Sequence, residues 1–186
     1  MPKMIGYQEQ VNGMVFIAET TASGSATLAM DIPAGYASVE FHYYNMHPAT
    51  NQVDFMFQVN AVGKSGFNEL INSTAFYSQA GESSGGGLAY MGAYDQANGT
   101  SYQALNYETG SDADQSTSGV LTIYDPSNTT YVKHFMGRAN TSQSDDFTVH
   151  TAAGGYINTT SAIDEISFKF DSGNIDLGTI RMYGVR

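Results

Sequence analysis

The chain has 186 residues, no cysteine and a net charge of −11 at pH 7. The absence of cysteine excludes disulfide bonds and thiolate-ligated metal sites. With 7 Lys and Arg against 18 Asp and Glu, the chain lacks the basic stripe that a nucleic-acid partner requires. Charged residues make up only 13% of the chain, so Gly, Ser, Thr, Asn and Tyr supply the polarity, a composition typical of turn-rich β proteins.

The first residues differ from the rest of the chain. Residues 1–13 show no alternation of polar and apolar side chains, and we expect them to form an N-terminal arm ahead of one β-sandwich domain over 14–186. The arm has no apolar signal region, and no segment reaches the ~20 apolar residues of a membrane span. We therefore expect a protein that is made in the cytoplasm without a standard export signal and has no membrane partner.

Short alternating segments predict β-strands, because successive side chains of a strand face opposite sides. In chain order the predicted strands are 14–19, 24–31, 39–46, 55–60, 120–124, 131–137, 166–170 and 179–185. The Gly- and Ser-rich middle, 78–118, is predicted as long loops that carry two irregular strands, near 88–94 and 102–107. A short helix at 67–76 is the one helical alternative.

The spacing of these strands decides the fold class. Short strands that recur at roughly 10-residue intervals with turns between them predict an all-β fold, a two-sheet β-sandwich of jelly-roll type with long loops. Because each strand sets its own register, we do not expect all the large apolar residues to face one core. We place Phe57, Leu121, Phe168 and Ile180 there. The full set of apolar residues on alternating strand positions is Phe41, Phe55, Phe57, Leu121, Ile123, Phe135, Ile166, Phe168, Ile180 and Met182.

The sequence offers little that points to catalysis. The histidines, His42, His47, His134 and His150, have no metal-ligand spacing. A glycosidase needs two carboxylates about 5–10 Å apart, and the acidic pairs lie in ordinary turn sequences. These pairs are Asp112 with Asp114, Asp145 with Asp146, Asp164 with Glu165, and Asp171 with Asp176. No nucleophile elbow, phosphate loop or dinucleotide fingerprint occurs, so we expect no catalytic residues, no cofactor and no enzyme activity.

One loop is a candidate for calcium. Asp112-Ala113-Asp114 places two hard oxygen ligands close together, although the loop lacks the Gly and the terminal Glu of an EF-hand. Apart from this calcium candidate, Asp112 and Asp114, we expect no metal site.

Tyrosine is unusually abundant, with 13 tyrosines and no tryptophan. A tyrosine joins an apolar ring to a hydroxyl, which suits protein interfaces and sugar-binding surfaces. Four tyrosines fall in the Gly-rich middle of the chain, which has little aliphatic content, and we predict that they form an interface. They are Tyr90, Tyr94, Tyr102 and Tyr107. A homo-oligomer, most simply a trimer, would bury such aromatic residues.

The end of the chain carries a more specific pattern. Residues 171–175 read Asp-Ser-Gly-Asn-Ile, and residues 178–185 read Gly-Thr-Ile-Arg-Met-Tyr-Gly-Val. This ending resembles the closing segment of weakly characterised structural (virion) proteins of marine tailed phages. Segments 45–48, 63–69, 125–135 and 155–162 resemble the same group, so the similarity covers most of the chain from about residue 20. Residues 166–183 read as a closing hairpin, with Gly173-Asn174 in its turn at positive φ.

The resemblance implies a virion part and no catalytic residues. We expect a non-catalytic structural protein of the outer surface of a phage virion, either a capsid decoration (cement) subunit or a short appendage subunit. Its partners would be other virion proteins, the major capsid protein or tail proteins. The alternative is a receptor-binding tip of a tail fibre that engages host surface glycan. A free polysaccharide-active enzyme is a third hypothesis.

Overall fold

A computed structural model describes residues 13–83 and 85–186, and the expectation of an arm over 1–13 therefore falls almost wholly outside the described residues. The described part contains antiparallel strands and one 3₁₀ turn at Gly92–Tyr94. The strands are β1 Met14–Thr21, β2 Leu28–Asp31, β3 Ser38–Pro48, β4 Phe55–Ala61, β5 Ile71–Gly81, β6 Gly86–Tyr90, β7 Ala97–Gly99, β8 Gln103–Ala104, β9 Thr117–Tyr124, β10 Lys133–Ser142, β11 Phe147–Ile157, β12 Ile163–Phe170 and β13 Ile175–Val185. This is the all-β class that the alternating segments predict.

Two sheets form the sandwich. The large sheet has the order β1-β13-β3-β9-β10-β11-β5-β6, with β7 also paired to β5, and the small sheet has the order β2-β12-β4-β8. Without the inserted strands β5 to β7 and β10 to β11, eight strands remain. Numbered 1 to 8 along the chain, they form two sheets in the orders 1-8-3-6 and 2-7-4-5. This is the topology of a jelly roll, in which two Greek keys wrap around one core.

The insertions make the large sheet wider than the small one. Strands β10 and β11 add to the β9 edge, and β5 and β6 continue beyond β11. The inner face of this extension is covered by the segment between β6 and β9 rather than by strands of the small sheet. Its small apolar cluster contains Ala75, Met91 and Ala153, with Tyr77, Tyr94 and Tyr107 packed against them.

The main core lies between the two jelly-roll sheets. Phe57, Leu121, Phe168 and Ile180 are all fully buried there, which confirms their prediction as core residues. The expectation that the ten apolar strand residues could not share one core is wrong, because all ten belong to one cluster. Each sheet contributes a single inner face, so the registers of neighbouring strands agree.

The end of the chain is not a hairpin, which corrects that prediction. Strand β12 pairs with β2 and β4 in the small sheet, whereas β13 pairs with β1 and β3 in the large sheet. Residues 171–174 therefore cross from one layer of the sandwich to the other. Gly173 does adopt positive φ, 73°, and Asn174 does not.

Two long strands were not predicted. The sequence prediction has no strand at β11, and at β5 it has only the helical alternative and the start of the Gly-rich loops. The two irregular strands predicted in the middle correspond to β6, which ends at Tyr90, and to the two-residue β8. The described residues contain no helix long and apolar enough to cross a membrane.

Candidate functional site

A cavity of about 400 Å³ opens at the β8 edge of the small sheet. Met56 of β4 and Ala104 of β8 are paired in adjacent strands and line it together. The segment from the 3₁₀ turn to β8 adds Tyr94, Gln96 and Tyr102, and Asp54 enters from the residue before β4. We call this the Asp54 pocket, defined by Asp54, Met56, Tyr94, Gln96, Tyr102 and Ala104.

The carboxylate of Asp54 is the electrostatic centre of the pocket. Burial raises its pKa to about 6, although hydrogen bonds from the Tyr94 hydroxyl and the Glu108 backbone N–H act in the opposite direction. The negative charges of Asp171 and Glu108 raise the pKa further. The Glu108 N–H lies 2.9 Å from Oδ1 of Asp54. Asp54 is thus a partly buried acid that ionises near neutral pH and keeps free lone pairs.

The other polar side chains of the pocket have some partners within the protein. Asp95, on its rim, accepts hydrogen bonds from the Ala75 backbone N–H and from the Tyr90 hydroxyl. The Gln96 amide donates to the Ser101 carbonyl, and the Tyr102 hydroxyl donates to Ser167. The Oε1 of Gln96 is buried without a partner, so Asp54, Asp95 and Gln96 all keep acceptor capacity for a ligand.

The four tyrosines predicted as an interface gather near this pocket rather than on one flat surface. Tyr94 and Tyr102 line it, and the Tyr90 hydroxyl reaches its rim at Asp95. Tyr107 packs behind, with its ring centroid 4.8 Å from Tyr77 in a stacked arrangement. Tyr90 is well exposed at 68%, and the other three are half-buried. An interface at these four tyrosines stays a prediction, and two of them line the cavity.

The calcium candidates lie elsewhere. Asp114 lines two shallow cavities, one with His47 and one shared with Asp112, Glu82 and Asp146. Within residues 13–83 and 85–186, no three His, Asp or Glu side chains are placed to hold a metal ion together. All four histidines lie on strands of the large sheet, and His47 donates to the Gln115 carbonyl at 2.7 Å.

The second candidate surface is the outer face of the large sheet. Register and exposure place alternate residues of eight strands on it, and none of the described residues covers it. Several large apolar side chains are exposed there: Phe16, Tyr44, Phe76, Leu88, Tyr90, Tyr124 and Met136. Thr, Ser, Asn and His side chains lie between them on the same face, but this many exposed large apolar side chains is unusual for a surface that stays in contact with water.

The charge on this face is equally distinctive. It carries two of the 7 cationic residues, Arg138 and Arg181, and two of the 18 acidic residues, Glu19 and Glu40. Arg181 bonds to Glu19 at 2.6 Å and Glu40 bonds to His42 at 2.9 Å. With the histidines neutral, these four charges cancel one another, in a chain whose net charge is −11.

Comparison with known proteins gives no family assignment. No protein-family model, no curated protein and no solved structure matches the chain.

Proposed function

We propose that this domain is a non-catalytic structural protein of the outer surface of a phage virion, either a capsid decoration (cement) subunit or a short appendage subunit. One observation carries the proposal: the outer face of the large sheet is broad, exposes seven large apolar side chains and carries few charged residues in a chain of net charge −11. Such a face suits permanent contact with other proteins. The resemblance of the closing segment to virion proteins of marine tailed phages supports the same function.

The electrostatics favour self-association through this face. Surfaces rich in carboxylates repel one another, whereas contacts made around a threefold axis through parts of the outer face bring few charges together. Apolar burial contributes about 25 cal/mol per Å², and at physiological salt the Debye length of about 8 Å screens the distant charges. We propose a homo-oligomer, most simply a trimer, that meets the major capsid or tail proteins of the particle and does not contact nucleic acid.

The location on the particle tests the virion function. Cryo-electron microscopy of the phage should show the domain on the outer shell. A copy number equal to that of the major capsid protein would support decoration. Its absence from the purified particle would contradict the proposal.

A matched pair of variants tests the surface itself. Phe76 on the outer face and Val62 in the β4–β5 turn have similar exposures, 50% and 54%. Phe76→Glu should convert the oligomer to a monomer in sedimentation velocity at micromolar concentration, and Val62→Glu should not. If both variants sediment like the parent protein, the outer face is not the contact.

A receptor-binding tip of a tail fibre is the second function, and the Asp54 pocket favours it. A cavity lined by tyrosines and two carboxylates with spare lone pairs, Asp54 and Asp95, is suited to a hydroxyl-rich ligand. Fluorescently labelled protein should then bind to host cells, and periodate oxidation of the cell-surface sugars should remove that binding. Labelled protein that does not bind to host cells would contradict this second function.

A further inference from the structure

The hydrogen-bonding groups of the Asp54 pocket limit which class of ligand the pocket can bind. An ionised carboxylate offers roughly four lone-pair positions. At Asp54, the Glu108 N–H and the Tyr94 hydroxyl occupy two of them. Asp95 likewise accepts two hydrogen bonds, and Oε1 of Gln96 is buried without a partner, so Asp54 is one of three side chains that can accept from a ligand. The pocket therefore suits a molecule that donates hydroxyl protons in pairs.

Apolar surface lies beside this acceptor. The Tyr102 ring lines the pocket together with Met56 and Ala104 of the two paired strands. Lys169 places its Nζ 4.7 Å from the centre of the Tyr102 ring. A pyranose ring has C–H bonds on its faces and hydroxyls at its edge, so it matches an aromatic ring with a carboxylate nearby.

Charge argues against an anionic ligand. The net charge of −11 and the Asp54 carboxylate repel an anionic sugar. A cationic ligand meets the positive charge of Lys169, whose Nζ lies beside the pocket at Tyr102. A neutral, hydroxyl-rich molecule meets neither repulsion.

We propose that the Asp54 pocket binds a neutral saccharide, with Asp54 accepting hydrogen bonds from two adjacent hydroxyls and Tyr102 contacting the sugar ring. This inference rests on the receptor-binding function and specifies its ligand. It does not depend on where the outer face of the large sheet docks.

The test is a titration followed by ¹⁵N–¹H NMR. The probes are the methyl glycosides of glucose, galactose, mannose and rhamnose, each added to about 50 mM, because single-sugar contacts have millimolar affinity. Methylammonium and N-acetylneuraminic acid are the cationic and anionic probes. At least one neutral glycoside should shift the backbone amides of Met56, Gly99, Ser101 and Ala104 in a saturable way.

Two variants make the result specific. Asp54→Asn keeps the shape of the side chain and should weaken glycoside binding about tenfold or more. Its NMR spectrum should match that of the parent outside the pocket, which separates lost binding from lost folding. Asp125→Asn is the control, since this aspartate lies on the β9–β10 turn and bonds to Asn128. It should bind the glycoside as the parent does.

Three outcomes would overturn the proposal. They are no glycoside-dependent shift in the pocket, equal affinity in Asp54→Asn and the parent, and tighter binding of methylammonium or N-acetylneuraminic acid than of every neutral glycoside. The receptor function is judged separately. If parent and Asp54→Asn bind host cells equally well, the domain is a receptor binder that uses another surface.

Discussion

Asp54 is a residue whose ionisation opposes folding. Its pKa rises from 3.8 to about 6 because burial disfavours the charged carboxylate. Between about pH 4 and pH 6 the folded protein therefore holds a proton that the unfolded chain has released. Stability falls as the pH rises through this window, and above it the domain bears the full cost of the buried charge.

Replacing this carboxylate should stabilise the protein at alkaline pH. Asp54→Asn cannot ionise and keeps an oxygen to accept the Glu108 N–H, so at pH 8 it should raise the free energy of unfolding by on the order of 2 kcal/mol. At pH 4 the gain should disappear, because the parent carboxyl is then protonated in the fold. Urea denaturation at both pH values measures the difference. A gain of equal size at both would show that ionisation is not its cause.

A substitution at Phe168 tests whether this residue is packed in the core between the two sheets. Its ring centre lies 5.6 Å from that of Phe41 and 5.7 Å from that of Phe55, with which it is stacked. Phe168→Ala would leave a cavity between the sheets and should lower the free energy of unfolding by about 3–5 kcal/mol. Phe76→Ala, at an exposed position, should change it by less than about 1 kcal/mol at protein concentrations where the chain is monomeric. Similar losses at both positions would contradict the assigned faces.

The sequence predicts these core residues and not the pocket. An alternating pattern such as Ile166, Phe168 and Phe170 shows which side of a strand is buried, because side-chain direction repeats every two residues. No comparable pattern in the sequence marks Asp54 as a residue of a pocket. Its environment depends on Tyr94 and Glu108, about 40 and 50 residues further along, which only the folded chain brings together.

At the scale of the element, the two missed strands show where alternation fails. Strand β11 contains Ala152-Ala153-Gly154-Gly155, which has no large apolar residue on either face. The inner face is crowded by the segment between β6 and β9, and small residues fit there. A strand is recognised in a sequence by the difference in polarity between its two faces. In the middle of β11 this difference is small.

Substitutions at Gly154 and Gly155 give a matched test of how closely β11 packs against its neighbouring strands. A Cβ at Gly155 would overlap the Asn72 carbonyl oxygen and lie 2.8 Å from Cα of Ser73, whereas at Gly154 the one neighbour is the Phe135 carbonyl oxygen at 3.7 Å. Gly155→Ala should therefore destabilise the β5–β11 pairing by about 1–3 kcal/mol. Gly154→Ala should change stability by less than about 1 kcal/mol.

Hydrogen exchange locates the effect. In Gly155→Ala the amides of β5 and β11 should exchange faster, while those of β12 and β13 keep the parent's protection. Equal protection in both alanine variants would mean that β5 and β11 accommodate the added methyl group at no cost and that their contact at Gly155 is not tight.

At the scale of the whole molecule, the net charge sets the salt dependence of assembly. Each copy has a net charge of −11, so copies repel one another at long range. Raising the salt concentration from about 0.01 M to 0.15 M shortens the Debye length from about 30 Å to about 8 Å. We expect the self-association to become tighter as salt is added.

Sedimentation velocity across a salt series measures this directly. The oligomer should form at lower protein concentration in about 0.15 M NaCl than in about 0.01 M NaCl. Association that weakens with salt would indicate ion pairs between subunits and would place the contact on a charged surface.

The pairing of the first and last strands has a mechanical consequence. Met14 is the partner of Val185 at one end of the β1–β13 ladder, so both ends of the described chain leave the sandwich at the same corner. Tension applied between them would open this ladder one hydrogen bond at a time, like a zip, instead of shearing all its bonds at once. A domain with this geometry yields at low force when stretched between its termini, and it withstands load best when the load enters through one terminus or one face.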